Sequence, residues 1–149
     1  MTTETYLRRM NWLLNLIESK TEMIALERAK ALKITVPTDS EPVKSSLKDN
    51  MSEIMANIAD MDAEIQRYVI EYRGIKAQVE TLSGELSAPF IYRRYAQDQS
   101  ISEVARGLHV SRSTVYRIRE DALSEFEKKY GKSYRRKRNF KRIEKIGTF

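Results

Sequence analysis

The chain has 149 residues, of which 41% are hydrophobic and 32% charged, with five glycines, three prolines, no cysteine and a net charge of +6. That composition excludes an intrinsically disordered chain and, without cysteine, a disulfide framework or thiolate chemistry. No apolar run approaches the roughly 18 residues of a membrane span, and the start "MTTETYLRRMNWLLNLIESK" carries acids and no signal-peptide cleavage site, so a cytoplasmic, membrane-free, helix-rich protein is expected.

The first predicted element is a helix over residues 4–33, with Thr3 as its cap and Glu4 in its first turn, where the helix dipole favours an acid. Leu7, Met10, Leu14, Ile17 and Ile24 follow a three-four spacing, and Trp12, Leu13 and Leu16 widen the stripe. "ITVP" ends it, because β-branched residues before Pro37 disfavour helix. "TDSEPVKSS" then reads as a polar connector.

The second predicted helix is the clearest periodic signal. Leu47, Met51, Ile54, Ile58, Met61, Ile65, Tyr68, Tyr72, Ile75, Val79 and Leu82 recur at alternating steps of four and three. Ser46 reads as its N-cap and Gly84 as its stop. About 36 residues rising 1.5 Å each span about 54 Å, and an unbroken heptad period over that length defines a coiled-coil seam. The seam can pack against the first helix as an antiparallel hairpin, against a second copy, or both. A lone hairpin of this length leaves much apolar surface exposed, so a homo-oligomer, a dimer, is expected to form along the seam. Gly74 inside the helix costs about 1 kcal/mol relative to alanine and reads either as room for a close helix approach or as incidental. The acids of "DMDAE", Asp60 to Glu64, read as a solvated outer face.

A third unit begins at Ser87, a cap for a short helix with Pro89 in its first turn and Phe90, Ile91 and Tyr95 on its apolar side. Then comes "SISEVARGLHVSRSTVYRIREDAL". Ser100 with Glu103 three residues on is a capping box, opening a short helix that points Val104, Ala105 and Leu108 inward. Ser111 caps the next helix. Only His109 and Val110 lie between Leu108 and that cap, a spacing that makes the two helices cross steeply as a helix-turn-helix. Ala105 suits the crossing, where a larger side chain would hold the helices apart. Projected at about 100° per residue, Val115, Ile118 and Ala122 mark the buried side of the second helix. Arg112, Ser113, Tyr116, Arg117 and Glu120 face outward and are the candidate base-reading residues, since arginine can bond guanine bidentately in the major groove. Ser111 and Thr114 at the helix start, with Arg135, Arg136, Lys137 and Arg138 further on, are candidate phosphate contacts.

Charge follows the same division. Residues 1–85 carry a net −3, residues 86–130 a net +2 and residues 131–149 a net +7. A basic end points to a polyanionic partner, here double-stranded DNA. The tail "KSYRRKRNFKRIEKIGTF" is expected to follow phosphates or to fold back through Phe140, Ile143 and Ile146. The organisation expected is therefore all-α: a long helical hairpin or coiled coil over residues 1–85, a helix-turn-helix domain over 86–130 and a basic tail over 131–149.

The stretch "YAQDQSISEVARGLHVSRSTVYRIREDALSEF" resembles the promoter-reading C-terminal region of sigma-70-type factors. It is similar as well to the small sigma-like regulators of phages of Gram-positive bacteria, the RinA and ArpU type that activate late genes. The resemblance covers Ser87 to Tyr130, and Val104, Ala105, Leu108, Val110, Val115 and Ile118 occupy its buried positions. It departs at the turn, where the usual glycine is His109 and a glycine stands at Gly107. That position requires positive φ, which histidine adopts more readily than most residues. The resemblance implies a phage late-gene activator, in the cytoplasm or nucleoid of a bacterial host, that binds promoter DNA and acts with the host RNA polymerase. A DNA-packaging protein of the small-terminase kind is the alternative, against the usual domain order of that group. Residues 1–85 lack the aromatic-rich region with which a complete sigma factor melts DNA. His109 is the single histidine, and there is no glycine-rich phosphate loop. No metal site, no cofactor and no enzymatic activity are expected.

Overall fold

The computed structural model describes residues 1–35 and 44–146, with side chains over 1–33 and 49–135. The connector expected at 38–46 lies largely outside the described residues, as do Pro37 and the side chain of Leu47. The fold is all-α. Helix α1 covers Thr3–Thr35 and α2 Lys44–Val79; α3, Ser87–Ile91, runs on as a π-helical turn over Tyr92–Ala96; α4 is Ile101–Leu108 and α5 Arg112–Ile146. None of these helices is long and apolar enough to cross a membrane.

The chain forms two compact units. One takes Met1–Trp12 together with Tyr72–Phe149, the other Leu13–Glu71. The divisions expected at residues 85 and 130 both fall inside the first unit, because α1 begins, and α2 ends, as part of it.

In the second unit α1 and α2 run antiparallel. Ile24 packs with Ile54, Ile58 and Met61, with Ala31 and Ile65 against the cluster, and Lys20 pairs with Glu64 at 2.9 Å. The hydrogen bond from Lys20 holds the Glu64 carboxyl below the usual carboxylate range. Glu64 therefore faces the hairpin, while Asp60 and Asp62 keep the expected solvated position. From Ile54 to Ile65 the seam drawn for oligomerisation is covered by the chain's own α1. Near the start of this unit Leu13, not Leu14, is the buried residue. Around the helix Leu13 lies about 20° from buried Ile24, whereas Leu14 lies about 80° from it.

In the first unit, Leu7 and Met10 of α1, Ile75 and Val79 of α2, Phe90, Ile91 and Tyr95, Val104, Val115, Ala122 and Phe126 form the buried interior. The N-cap of α1 is Thr2, whose Oγ1 accepts from the Thr5 N–H at 3.2 Å. Thr3, expected as the cap, is instead buried and bonds the Tyr134 hydroxyl at 2.7 Å. Tyr6 stacks on Tyr134 with centroids 4.6 Å apart and donates to Gln78 at 2.7 Å. Asn11 donates to the Ala96 carbonyl at 3.0 Å.

Two further cap assignments differ from expectation. Helix α2 starts at Lys44, so Ser46 lies within its first turn, and it stops at Val79, leaving Leu82 in the connector. Ser87 is the first residue of α3 rather than its cap, with Leu86 before it. The Ser87 N–H already bonds Gly84 O at 3.2 Å in the incoming turn, and its hydroxyl lies 2.5 Å from where a Gly84 Cβ would stand. Gly84 is thus a packing requirement of the turn. At Gly74 no described atom comes within 4 Å of that position, so no close helix approach uses it. Ser83 donates its N–H and Oγ to Glu125, at 2.8 and 2.7 Å, and these bonds lower the carboxyl's pKa.

Candidate nucleic-acid interface

The interface is built on the α4–α5 corner. The capping box forms as expected: Ser100 Oγ accepts from Glu103 N at 3.2 Å, and the Ser100 N–H reaches Glu103 Oε2 at 3.4 Å. Ser100→Ala is expected to cost about 1 kcal/mol, read as a shifted urea midpoint at constant slope; an unchanged midpoint would show the box to be idle. His109 closes α4 at φ 57°, ψ 43°. The Val110 N–H bonds Ala105 O at 3.1 Å and the His109 N–H bonds Arg106 O at 3.3 Å, the paired bonds of a Schellman stop. Histidine thus fills the left-handed turn position that glycine takes more easily. The displaced glycine has its own reason. A Cβ at Gly107 would stand 2.3 Å from Nη1 of Arg93, whose guanidinium lies across the helix there.

Ser111 caps α5, accepting from Thr114 N at 3.3 Å. Its hydroxyl also bonds Thr114 Oγ1 at 2.9 Å and Ser113 Oγ at 3.1 Å. The hydroxyls expected at phosphate therefore form one cluster at the helix start, with Ser111 exposed and Thr114 half-buried. Val115 and Ala122 are fully buried, Ile118 half-buried. Arg112, Ser113, Tyr116, Arg117 and Glu120 are all exposed, so the five side chains proposed to read bases share one free surface of α5. Arg119, between them in sequence, turns inward and pairs with Glu4 of α1.

Two residues missed in the sequence belong to this surface. Ser102 and Arg106 line a shallow groove of about 630 Å³ with His109, Ser111 and Arg112, over a floor of Ala105 and Val110. Arg106 lies four residues before Val110 on the exposed side of α4, and its place beside Arg112 follows only from the crossing of the two helices. Arg94 is turned away, donating to Gln99 O at 2.8 Å.

The basic segment is not a separate tail. Helix α5 continues through it to Ile146, and Tyr134 is buried against Thr3, Tyr6 and Phe126. Arg135 is exposed and pairs with Glu127. Arg136, Lys137 and Arg138 lie on the helix, but their side chains fall outside the described residues, as do those of Phe140, Ile143 and Ile146.

A steep two-helix corner with one outward face of arginine, tyrosine and hydroxyls defines a helix-turn-helix DNA-binding protein. Residues 90–122 match the helix-turn-helix domain of resolvase. That span runs from Phe90 in α3 to Ala122 in α5, the whole of the corner and its support. No curated protein and no solved structure matches the chain.

Proposed function

We propose that the protein is a sequence-specific regulator of transcription: a phage late-gene activator that binds promoter DNA as a dimer and acts with the host RNA polymerase in the bacterial cytoplasm, at the nucleoid. The observation that carries the DNA-reading part is the division of α5. Val115, Ala122 and Phe126 are buried, while Arg112, Ser113, Tyr116, Arg117 and Glu120 are exposed at the helix start. That is the orientation in which a recognition helix enters the major groove. The activator and polymerase parts rest on the resemblance of Ser87 to Tyr130 to sigma-type regulators. The reading gives the chain no catalytic step of its own.

Selection of random duplex DNA on the purified protein at physiological salt, with sequencing of the bound pool, tests it. One enriched motif is expected, as two half-sites at fixed spacing if a symmetric dimer binds. A bound but unenriched pool would set the regulator aside in favour of a packaging protein.

The basic end of α5 is proposed to neutralise phosphates. A chain ending at Arg135 keeps Tyr134 and omits Arg136, Lys137, Arg138, Lys141, Arg142 and Lys145. It is expected to bind all duplexes more weakly, with the log–log salt slope flatter by about 0.9 for each phosphate that is no longer neutralised. An unchanged slope would remove this segment from the interface.

A further inference from the structure

The hairpin unit leaves α1 open on the flank of Met23 and Leu26, 46% and 65% exposed, and on a second flank whose residues have an unusual order. Leu14, Glu18, Thr21, Ala25, Arg28 and Leu32 follow each other at steps of four, three, four, three and four, all exposed or nearly so, Leu14 at 36% and Leu32 at 68%. At about 100° per residue they form one stripe, about 27 Å from end to end. Reversed about Met23, the stripe complements itself: Leu14 falls on Leu32, Glu18 on Arg28, Thr21 on Ala25. Among the described residues Glu18 and Arg28 make no ion pair. The Thr21 hydroxyl is already spent on Ile17 O at 2.7 Å, which leaves its methyl to face a neighbour. On α2, Met55 and Ile70 are exposed as well, at 57% and 69%.

From this we infer that this second flank of α1 is the homodimer interface, occupied by a second copy of the chain running antiparallel about a two-fold axis at Met23. Two hairpins then close as a four-helix bundle. Each end buries Leu14 on the partner's Leu32, and each side sets Glu18 against the partner's Arg28. A two-fold contact requires a self-complementary surface, and the charge order of this stripe supplies one. The other flank of α1 does not: reversed about Met23, it sets Lys30 on Leu16. The inference deepens the dimer in the reading above and moves its interface from the heptad seam of α2, covered by α1 from Ile54 to Ile65, to this face.

The test is light-scattering mass of the full chain, without DNA, across micromolar concentrations. Wild type is expected to be dimeric. Glu18→Arg and Arg28→Glu, each alone, place two like-charged pairs in the interface and should weaken dimerisation at least about tenfold. Mixing the two variants restores both pairs, so a heterodimer of near wild-type affinity should form. Both residues are exposed, and circular dichroism checks that helicity is unchanged. A monomeric wild type, a ring, or a dimer indifferent to both substitutions would each overturn the interface. Such a result leaves the DNA selection unaffected, so the two ideas fail separately.

Discussion

Arg117→Ala is expected to weaken binding to the selected site by about 1–3 kcal/mol, roughly a five- to 150-fold rise in Kd, and to relax preference at one base pair. Arg117 is exposed on α5, on the face that also carries Ser113, Tyr116 and Glu120, and its backbone is held by buried Val115 and Ala122 on the far side. The substitution therefore removes a base contact without disturbing the fold. Competition binding of single-base variants of the site measures the effect. A uniform loss on every sequence would make Arg117 a phosphate contact instead. The wild-type preference retained in full would take it out of the interface. Arg119→Ala is the control within the same helix. Its guanidinium pairs with Glu4, so it should alter stability and leave base preference as it was.

Phe126→Ala is expected to lower the stability of the first unit by about 3–5 kcal/mol, a large share of what a small domain has. Phe126 is fully buried. Its ring lies 5.9 Å from Tyr6, 5.1 Å from Tyr130 and 6.5 Å from Tyr134. It thus holds the start of α1 and the C-terminal part of α5 to the DNA-reading corner. Its removal leaves a cavity and ends aromatic interactions worth about 0.5–1.5 kcal/mol each. Urea unfolding of wild type and variant gives the difference. A loss below about 1 kcal/mol would mean that the cluster does not join these segments. Phe126→Leu, which keeps most of the volume, should fall well short of the alanine effect.

Local chemistry is legible in the sequence alone. The capping box of Ser100 and Glu103, the Ser111 cap, the left-handed turn at His109 and the outward set on α5 all rest on hydrogen bonds or angles within a few residues. Such rules need only neighbouring side chains. The heptad seam is legible for the same reason, since a stripe is a property of one helix.

What covers a stripe is a different matter. The partner of the α2 seam, the inward turn of Arg119 toward Glu4, the burial of Thr3 against Tyr134 and the place of Arg93 over Gly107 join residues on separate elements. Nothing in the spacing of either partner ranks these pairings against solvent or a second copy. Thr3 meets the local requirements of a cap, and so does Thr2; the bond from Tyr134, 131 residues away, selects between them. Likewise the basic segment reads as a tail from its charge, and becomes the end of α5 because Tyr134 has an aromatic pocket to enter. Periodicity and capping set which helices form and which faces are apolar. Packing assigned those faces to one another, because burial free energy depends on what lies opposite and not on the order of residues along one helix.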